Sequence, residues 1–327
     1  MTLVRIVKSW THPDLLRQCI GGKGAIGNVQ FTLDPVDRCD YLIVLNHIPE
    51  EITVEVPPEN VWCFIQEPPL KAFRCFERGF PFYGRVFTQD RRLKGPKFVH
   101  SHGSLPWHVN KSHDDLRASF QPFKTKDVSW ITSSLGIHKG HRLRLQFLDR
   151  LRSYGLPFDL FGRGFQPIAD KWDGLAPYRY SIAVENHSCP DYWTEKVADC
   201  FLAGAMPIYF GATNLAKFFP SNSFIWLDIS RRDAPRRVAE IVASDLAETN
   251  HNAIAEARRR ILEEHHLFPR VANLISNERA SSPMRDSRRV TLPTVPDHSV
   301  YHLQHTHLER FGHSLSRHFR RWISKNL

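Results

Sequence analysis

The chain contains 327 residues, of which 42% are hydrophobic and 24% are charged. This composition is typical of a globular protein and excludes a largely disordered chain. Because the length is roughly twice that of a common domain, we expect two domains rather than one large core. Lysines and arginines outnumber the acidic residues, and the formal net charge is +10. This excess predicts an anionic partner, such as a phosphorylated ligand, an acidic lipid or a nucleic acid.

The six cysteines are scattered and form no Cys-x-x-Cys pair, so neither a zinc knuckle nor a thioredoxin motif is predicted. We expect reduced thiols in a cytoplasmic protein, and a disulfide framework stays the alternative. No apolar run reaches the ~18 residues of a membrane-spanning helix. We therefore expect a cytoplasmic protein that is soluble or bound peripherally to the inner face of a membrane.

The first half of the chain predicts a parallel sheet. A helix is predicted over 13–20, between the first strand and the later ones. Short apolar runs without alternation indicate strands that are covered on both faces. The predicted strands are 3–7, 30–33, 40–46 and 60–66. A polar stretch with a proline, around residues 120–127, marks a domain boundary. We assign residues 1–125 to an N-terminal Rossmann-like domain.

The second half repeats this pattern, with strands and helices in alternation. The predicted strands are 128–134, 158–162, 180–186, 206–211 and 224–229, and the predicted helices are 141–155, 193–203 and several within 234–266. Such alternation is typical of an α/β unit on a parallel sheet. We assign residues 126–275 to a second Rossmann-like domain. Two such domains facing each other leave a cleft, and open parallel sheets bind ligands at the carboxyl ends of their strands.

Residues 276–327 form a basic tail. Its first part is polar and loop-like, and its last part has apolar residues at helical spacing with Arg and His between them. This predicts a basic amphipathic helix that contacts an anionic membrane, and a helix docked on its own domain stays the alternative. His302, His305 and His307 have the spacing of metal ligands, but no carboxylate or cysteine lies near them in sequence. We predict no metal site there.

The stretch ENHSCPDYWTEKVADCF, residues 185–201, carries the clearest chemical signal. Glu195 and Lys196 fall in the first turn of a helix that Asp191 or Thr194 can cap. The free N–H groups of that turn and the lysine favour an anion such as a diphosphate. The Glu195 carboxylate can accept hydrogen bonds from sugar hydroxyls, which suits a ribose. A Glu and a Lys that merely solvate a helix start are the alternative interpretation.

The residues around this stretch follow a known pattern. They are Tyr180, Glu185, Asn186, Tyr192, Thr194, Glu195, Lys196, Leu202, Ala203, Gly204, Pro207, Ile208, Tyr209, Gly211, Phe218, Pro220, Ser223, Phe224 and Ile225. This order closely resembles the C-terminal signature of the family 10 glycosyltransferases, the α-1,3/1,4-fucosyltransferases. The resemblance covers residues 128 to about 230 well and the N-terminal half only in the order of its elements.

The resemblance implies the GT-B fold, in which two Rossmann-like parallel-sheet domains face a cleft. It implies GDP-fucose as the donor, bound by the C-terminal domain, and a glycan acceptor presented largely by the N-terminal domain. By the same resemblance, Lys196 contacts the diphosphate, Glu195 the ribose, and Asn186 and Tyr192 the donor. No cofactor beyond the donor substrate is implied.

Two further residues come from the same resemblance. The family has a phosphate-binding arginine on the helix after a Ser-rich strand, and its Arg-x-x-aromatic spacing selects Arg144 here, with Arg142 as the neighbouring alternative. The family's general base is a glutamate at the end of an aromatic-rich strand, before proline. WCFIQEPP matches that pattern and selects Glu67. The alternatives are a solvated basic helix face for the arginine and a loop carboxylate in water for the glutamate.

The function predicted from these residues is the inverting transfer of fucose from GDP-fucose to a glycan hydroxyl. We expect no metal, because no Asp-x-Asp pair occurs in the chain. Three alternatives stay open: a GT-B transferase with another nucleotide sugar, a catalytically silent glycan-binding relative, and a nucleic-acid-binding protein. Only the charge suggests nucleic acid, and no recognised binding motif supports it. The acceptor, for example a lipopolysaccharide or protein glycan, is not readable from the loops around 68–80 and 100–125.

Overall fold

The computed structural model describes residues 1–10, 14–118, 122–281 and 286–297. The strands are β1 Thr2–Val7, β2 Ala25–Ile26, β3 Val29–Thr32, β4 Tyr41–Leu45, β5 Ile52–Val56, β6 Val61–Phe64, β7 Arg85–Thr88, β8 Phe98–His100, β9 Lys126–Ile131, β10 Asp159–Phe161, β11 Tyr178–Val184, β12 Met206–Phe210, β13 Ile225–Trp226 and β14 Arg288–Leu292. The α-helices are α1 His113–Ala118, α2 Lys139–Tyr154, α3 Glu195–Leu202, α4 Ala234–Val242, α5 Leu246–Thr249, α6 His251–Arg260 and α7 Leu267–Ser281.

Shorter helices join these elements. The 3₁₀ helices are Leu16–Gln18, Ile20–Gly22, Pro58–Asn60, Lys71–Phe82, Lys171–Gly174 and Leu215–Lys217, and Ile261–His265 is a π-helix. The α-helix predicted over 13–20 is therefore wrong where the structure describes it. Gly21, Gly22 and Gly24 follow this segment with positive φ angles of 62°, 65° and 67°, a conformation that an α-helix cannot continue through.

The N-terminal sheet has the strand order β2-β3-β1-β4-β6-β7-β8. All of its pairings are parallel except that of β2 with β3. Every residue of the central strands β4 and β6 is buried, as expected for apolar strands that are covered on both faces. The predicted parallel sheet is confirmed.

The C-terminal sheet has the order β10-β9-β11-β12-β13 and is parallel throughout. In both sheets the first strand of the unit lies between two later strands: β1 lies between β3 and β4, and β9 lies between β10 and β11. The chain reverses its direction of travel across the sheet at that strand. In open parallel sheets, ligands bind beyond the carboxyl ends of the strands at such a point. The topology therefore puts one candidate ligand edge on each sheet.

The two packing units do not end at the predicted domain limits. Trp107, Val109 and Leu116 precede the expected boundary at 125/126 but are buried in the C-terminal core. Helix α7 passes through the expected boundary at 275/276, and its apolar residues from Leu267 to Ile275 pack in the N-terminal core. The chain crosses between the units twice, because the apolar faces of these segments are buried against the opposite sheet.

The start of the predicted tail also differs from expectation. Residues 276–281 continue α7, and β14 pairs antiparallel with β5, so these parts are regular rather than loop-like. The predicted amphipathic helix near the C-terminus and His302, His305 and His307 lie outside the described residues. No helix in the described part of the chain is long and apolar enough to cross a membrane.

We predict that Phe268→Ala destabilises the N-terminal unit by about 3–5 kcal/mol, because a fully buried aromatic side chain leaves a cavity. Phe268 is 0% exposed, and its ring meets that of Phe31 edge to face at 5.0 Å. Phe123→Ala is the matched control, since Phe123 is 86% exposed. Chemical denaturation measures both variants. A loss in Phe268→Ala no larger than that in Phe123→Ala would contradict the packing of α7 on this sheet.

Candidate active site

A cavity of about 440 Å³ lies between the carboxyl ends of the two sheets. Asn46, Gln66 and Glu67 line it from the N-terminal unit, just beyond β4 and β6. Asn186 and the first turn of α3 line it from the C-terminal unit. Its volume is within the range of sites for cofactor-sized ligands. The cavity therefore lies where open parallel sheets bind ligands, beyond the carboxyl ends of their strands.

Most of the sequence-predicted site residues meet here. The residues that line the cavity are Glu67, Asn186, Tyr192, Glu195 and Lys196. Arg144 is not among the lining residues. The five lining residues come from opposite sides of the cleft, so a ligand between them can contact both units.

The N-terminus of α3 is built on a buried carboxylate. Thr194 is the N-cap, and its hydroxyl accepts a hydrogen bond from the Lys196 N–H at 3.3 Å. Glu185, at the end of β11 and 1% exposed, accepts hydrogen bonds from the Thr194 N–H at 2.8 Å and from its hydroxyl at 2.7 Å. Gly204, with φ 67°, follows the end of the helix, as predicted. These bonds fix where α3 begins and which way its first turn faces.

Lys196 has three polar partners in this structure. Its Nζ lies 3.1 Å from the Thr194 hydroxyl, 3.2 Å from Glu195 Oε1 and 3.4 Å from Glu185 Oε2. Burial alone would lower the pKa of Lys196, but the Glu195 and Glu185 carboxylates outweigh it and raise that pKa. The residue therefore carries a full positive charge into the cavity at neutral pH.

Two lysines and a histidine lie around the Glu195 carboxylate. Its Oε1 lies 3.2 Å from Lys196 Nζ, 3.6 Å from Lys171 Nζ and 4.0 Å from His108 Nδ1. Burial alone would raise the pKa of this carboxyl, but the two ammonium groups hold it well below its ordinary value. All three contacts reach the same oxygen. Oε2 is the other acceptor of an ionised carboxylate, and a carboxylate can accept several hydrogen bonds.

Arg144 lies one layer behind the cavity wall. It is 3% exposed, and its guanidinium donates hydrogen bonds to Asn186 Oδ1 at 2.9 Å and to the Ser133 carbonyl at 3.1 Å. Because a guanidinium can only donate, the Asn186 amide oxygen must face it, and the amide NH₂ faces the other way. A direct contact of Arg144 with a phosphate stays a prediction. In this structure its guanidinium orients Asn186.

Glu67 stands on the opposite side of the cavity. Burial raises the pKa of its carboxyl to about 7, Lys196 lowers it in part, and the carboxylates of Asp297 and Glu195 raise it further. Lys196 and Glu195 line the same cavity as Glu67, so the three groups share one site across the cleft. A carboxyl with a pKa near neutrality is suited to accept a proton.

Sequence reasoning missed several residues of this site. Asn46 follows β4, has a φ of 66°, and accepts a hydrogen bond from the Gln66 N–H through Oδ1 at 2.7 Å. Asn46 comes directly after a predicted strand, and polar residues at the carboxyl ends of parallel strands are candidates for ligand contact. No sequence signal pointed to Lys171 or His108, because only the folded chain brings them to Glu195. Asp199 lies on α3 itself, one turn after Glu195, but its partner Lys171 could not be read from the sequence.

In the four described stretches of chain, no group of three or more His, Cys, Asp or Glu side chains could hold a metal ion. The site instead offers hydrogen-bonding groups, an ammonium group and the N-terminus of a helix. Independence from metal stays a prediction.

Comparison with known proteins places these residues in a family. A family model described as glycosyltransferase family 10 (fucosyltransferase) C-term matches residues 121–247. The matched residues make up less than half of the chain, and over them the chain resembles the C-terminal domain of the family 10 glycosyltransferases. The matched range contains Arg144 and all the predicted donor-site residues of the second half. Glu67 lies outside it, in the part of the chain that the sequence resemblance covered only by element order.

Two human fucosyltransferases are similar to part of this chain. The human 4-galactosyl-N-acetylglucosaminide 3-alpha-L-fucosyltransferase FUT6 is 30% identical over 143 residues, 42% of this chain and 38% of that protein. The human 3-galactosyl-N-acetylglucosaminide 4-alpha-L-fucosyltransferase FUT3 is 30% identical over 189 residues, 55% of this chain and 49% of that protein. The chain therefore spans less than half the length of these relatives.

One solved structure matches nearly the whole architecture. A glycosyltransferase from Rickettsia africae aligns over 86% of this chain and 99% of its own, with a TM-score of 0.50 and 10% identity. At that identity the likeness concerns the fold alone. Two parallel-sheet units that face a common cleft are the GT-B arrangement, and this expectation is confirmed.

We predict that Gly140→Ala disrupts the wall of the cavity around Asn186. A Cβ on Gly140 would lie 1.7 Å from the Asn186 carbonyl oxygen, so the first turn of α2 must move away. We expect a stability loss of about 1–3 kcal/mol, as for overpacking elsewhere. Gly136→Ala is the matched control, because its Cβ would meet only Leu145 Cδ1, at 3.7 Å. Thermal unfolding compares the two, and equal stabilities would contradict the close approach of α2 to Asn186.

Proposed function

We propose that this protein transfers fucose from GDP-fucose to a hydroxyl group of a glycan, with inversion at the anomeric carbon. The observation that carries the proposal is the placement of Glu67 and Lys196 on opposite walls of one cavity. A transferase needs a base for the acceptor on one side and a cation for the leaving group on the other. The match of residues 121–247 to the family 10 (fucosyltransferase) model and the names of the human relatives support fucose as the sugar.

The donor is assigned to the C-terminal wall. Lys196 and the free N–H groups at the start of α3 receive the diphosphate, since an ammonium and a helix N-terminus both attract anions. Glu195 accepts hydrogen bonds from the ribose hydroxyls. Asn186, held by Arg144, directs its amide NH₂ to the donor, and Tyr192 packs beside it as a buried side chain of the wall.

The acceptor is assigned to the N-terminal wall. Trp10 and Phe73 line the cavity beside Glu67, and aromatic rings offer a large apolar face with little conformational freedom. A sugar ring that lies against them would present its hydroxyl to Glu67. The chemical identity of the glycan is not part of the proposal.

The transfer follows as a single displacement. The Glu67 carboxylate takes the proton of the acceptor hydroxyl while that oxygen forms a bond to the anomeric carbon. The bond from that carbon to the β-phosphate oxygen breaks, and GDP leaves with the electron pair. Lys196 and the start of α3 stabilise the charge that develops on the phosphate, as preorganised groups do in general. No step of this scheme requires a metal ion.

The proposal is tested by donor turnover. We expect GDP-fucose to be consumed, with or without EDTA, faster than UDP-linked or other GDP-linked sugars. In Glu67→Gln we expect turnover to fall by ~10²–10⁴, the usual contribution of a general base, while GDP binding measured by calorimetry stays within about twofold, a difference below 0.5 kcal/mol. Glu59→Gln is the matched control, because Glu59 lies in the 3₁₀ helix before β6 and does not line the cavity.

Three results would contradict parts of this proposal. Near-normal turnover in Glu67→Gln would exclude Glu67 as the base. Preferred consumption of another nucleotide sugar would support the alternative of a GT-B transferase with a different donor. Loss of turnover with EDTA that added Mg²⁺ or Mn²⁺ restores would contradict metal-independent transfer.

The raised pKa of Glu67 predicts the pH dependence of transfer. The base acts only when it is ionised, so kcat/KM should rise with pH, reach half its plateau near pH 7, and fall about tenfold per pH unit below that point. In Glu67→Gln the residual rate should lose this dependence, because glutamine does not titrate in this range. The measurement is kcat/KM from pH 5 to 9, and an unchanged titration in the glutamine variant would assign it to another group.

A further inference from the structure

Two lysines share one carboxylate in the candidate donor site. Glu195 Oε1 lies 3.2 Å from Lys196 Nζ and 3.6 Å from Lys171 Nζ. Lys196 lines the cavity, whereas Lys171 is absent from its lining and approaches Glu195 from behind. The proposed function gives Lys196 a task at the diphosphate, but it gives none to Lys171.

Lys196 cannot serve a diphosphate without loosening its present contacts. In this structure its ammonium is held by Glu195, Glu185 and the Thr194 hydroxyl. If Lys196 were the sole cation at Glu195, its transfer to a phosphate would leave a largely buried carboxylate without a partner. Losing one partner of a buried ion pair is strongly unfavourable. A second cation at Glu195 removes that obstacle.

Lys171 is fixed in the position that this role requires. It begins the 3₁₀ helix Lys171–Gly174, which Asp170 caps by accepting a hydrogen bond from the Trp172 N–H at 2.9 Å. Asp170 also accepts from the Asn110 N–H at 2.8 Å. The segment is thereby tied to the connection between the two units, and Lys171 does not line the cavity.

Asp199 holds the other side of the Lys171 ammonium. It lies on α3 one turn after Glu195, is 1% exposed, and its Oδ2 is 3.2 Å from Lys171 Nζ. Its Oδ1 accepts a hydrogen bond from the His108 N–H at 2.9 Å. Lys171 thus bridges two carboxylates on consecutive turns of one helix. These contacts involve no group that the donor would displace.

We propose that Lys171 is the lasting counter-ion of Glu195, a positioning residue that allows Lys196 to exchange Glu195 for the diphosphate of the donor. This inference rests on the proposed function, because it requires a nucleoside diphosphate in the cavity. Lys171 does not touch the donor. It acts by keeping Glu195 ionised and in place for the ribose while Lys196 moves.

The inference is tested by comparing two ligands, GDP and guanosine, in the full chain. In Lys171→Met, Glu195 keeps Lys196 as its main partner, so GDP must compete for that lysine and its Kd should rise about tenfold, a typical coupling between neighbouring charged groups. Guanosine has no phosphate and needs no exchange, so its affinity should change less than about twofold. Calorimetry measures GDP, and ligand-observed NMR measures guanosine.

Further variants separate this role from a structural one. Lys171→Arg keeps the charge and should restore most of the GDP affinity. In a Lys196→Met background, Lys171→Met should weaken GDP binding much less than in the wild type, because there is no lysine left to exchange. Lys126→Met is the matched control with unchanged binding, since Lys126 pairs with Asp159 on the surface of the same unit and is 53% exposed.

A neutral double variant guards against misfolding. Lys171→Met with Asp199→Asn removes a cation and an anion together, so no new buried charge is left unpaired on α3, and the same loss of GDP affinity is expected. The inference is overturned if GDP binds either folded variant as tightly as the wild type, or if guanosine weakens as much as GDP. If the wild type itself does not bind GDP, the proposed function fails, and this inference fails with it.

Discussion

The candidate site depends on one buried carboxylate. Glu185 is 1% exposed and accepts hydrogen bonds from both the N–H and the hydroxyl of Thr194. An ionised group in that position is tolerated only where its lone pairs are satisfied. The same hydroxyl caps α3, so the requirement of Glu185 for partners also decides where the helix begins. Glu195 and Lys196 are the next two residues. The hydrogen bonds between Glu185 and Thr194 therefore fix which way their side chains leave the helix.

Long-range packing sets the separation of Glu67 from the start of α3 across the cavity. The segment with Trp107 and Val109 is buried in the C-terminal core, and α7 is buried in the N-terminal core. Each unit is therefore completed by a piece of chain from the other side of the expected boundary. An ion pair between Arg91 and Asp191 adds a contact across the cleft, next to Tyr192. These contacts hold Glu67 and Lys196 on facing walls, which no local motif could achieve.

The sequence predicted best what depends on local pattern. Four strands of the N-terminal sheet (β1, β3, β4 and β6), the strands of the C-terminal sheet and the start of α3 were foreseen, because apolar runs and helix caps leave signals within a few residues. Strands β2, β5, β7, β8 and β14 were not predicted. The sequence selected Arg144 as a site residue but did not predict that it lies behind Asn186. That position depends on how closely α2 packs against the strand end. Lys171 left no signal, because its partners lie more than twenty residues away on another element. The packing of α7 in the N-terminal core was not predicted, because the apolar pattern of a helix does not indicate which of two sheets it will cover.

The charges around α3 explain why the site does not depend on an open basic patch. Three carboxylates, those of Glu185, Glu195 and Asp199, lie among Lys171, Lys196 and Arg144. The group is close to electrically neutral, although the whole chain carries a formal charge of +10. If a donor binds here as proposed, its diphosphate would gain little from long-range attraction at this point and would instead take over contacts that the protein already makes. Recognition by exchange favours a ligand that offers a ribose to Glu195 and a phosphate to Lys196 together, because either group alone would disturb the network without completing it.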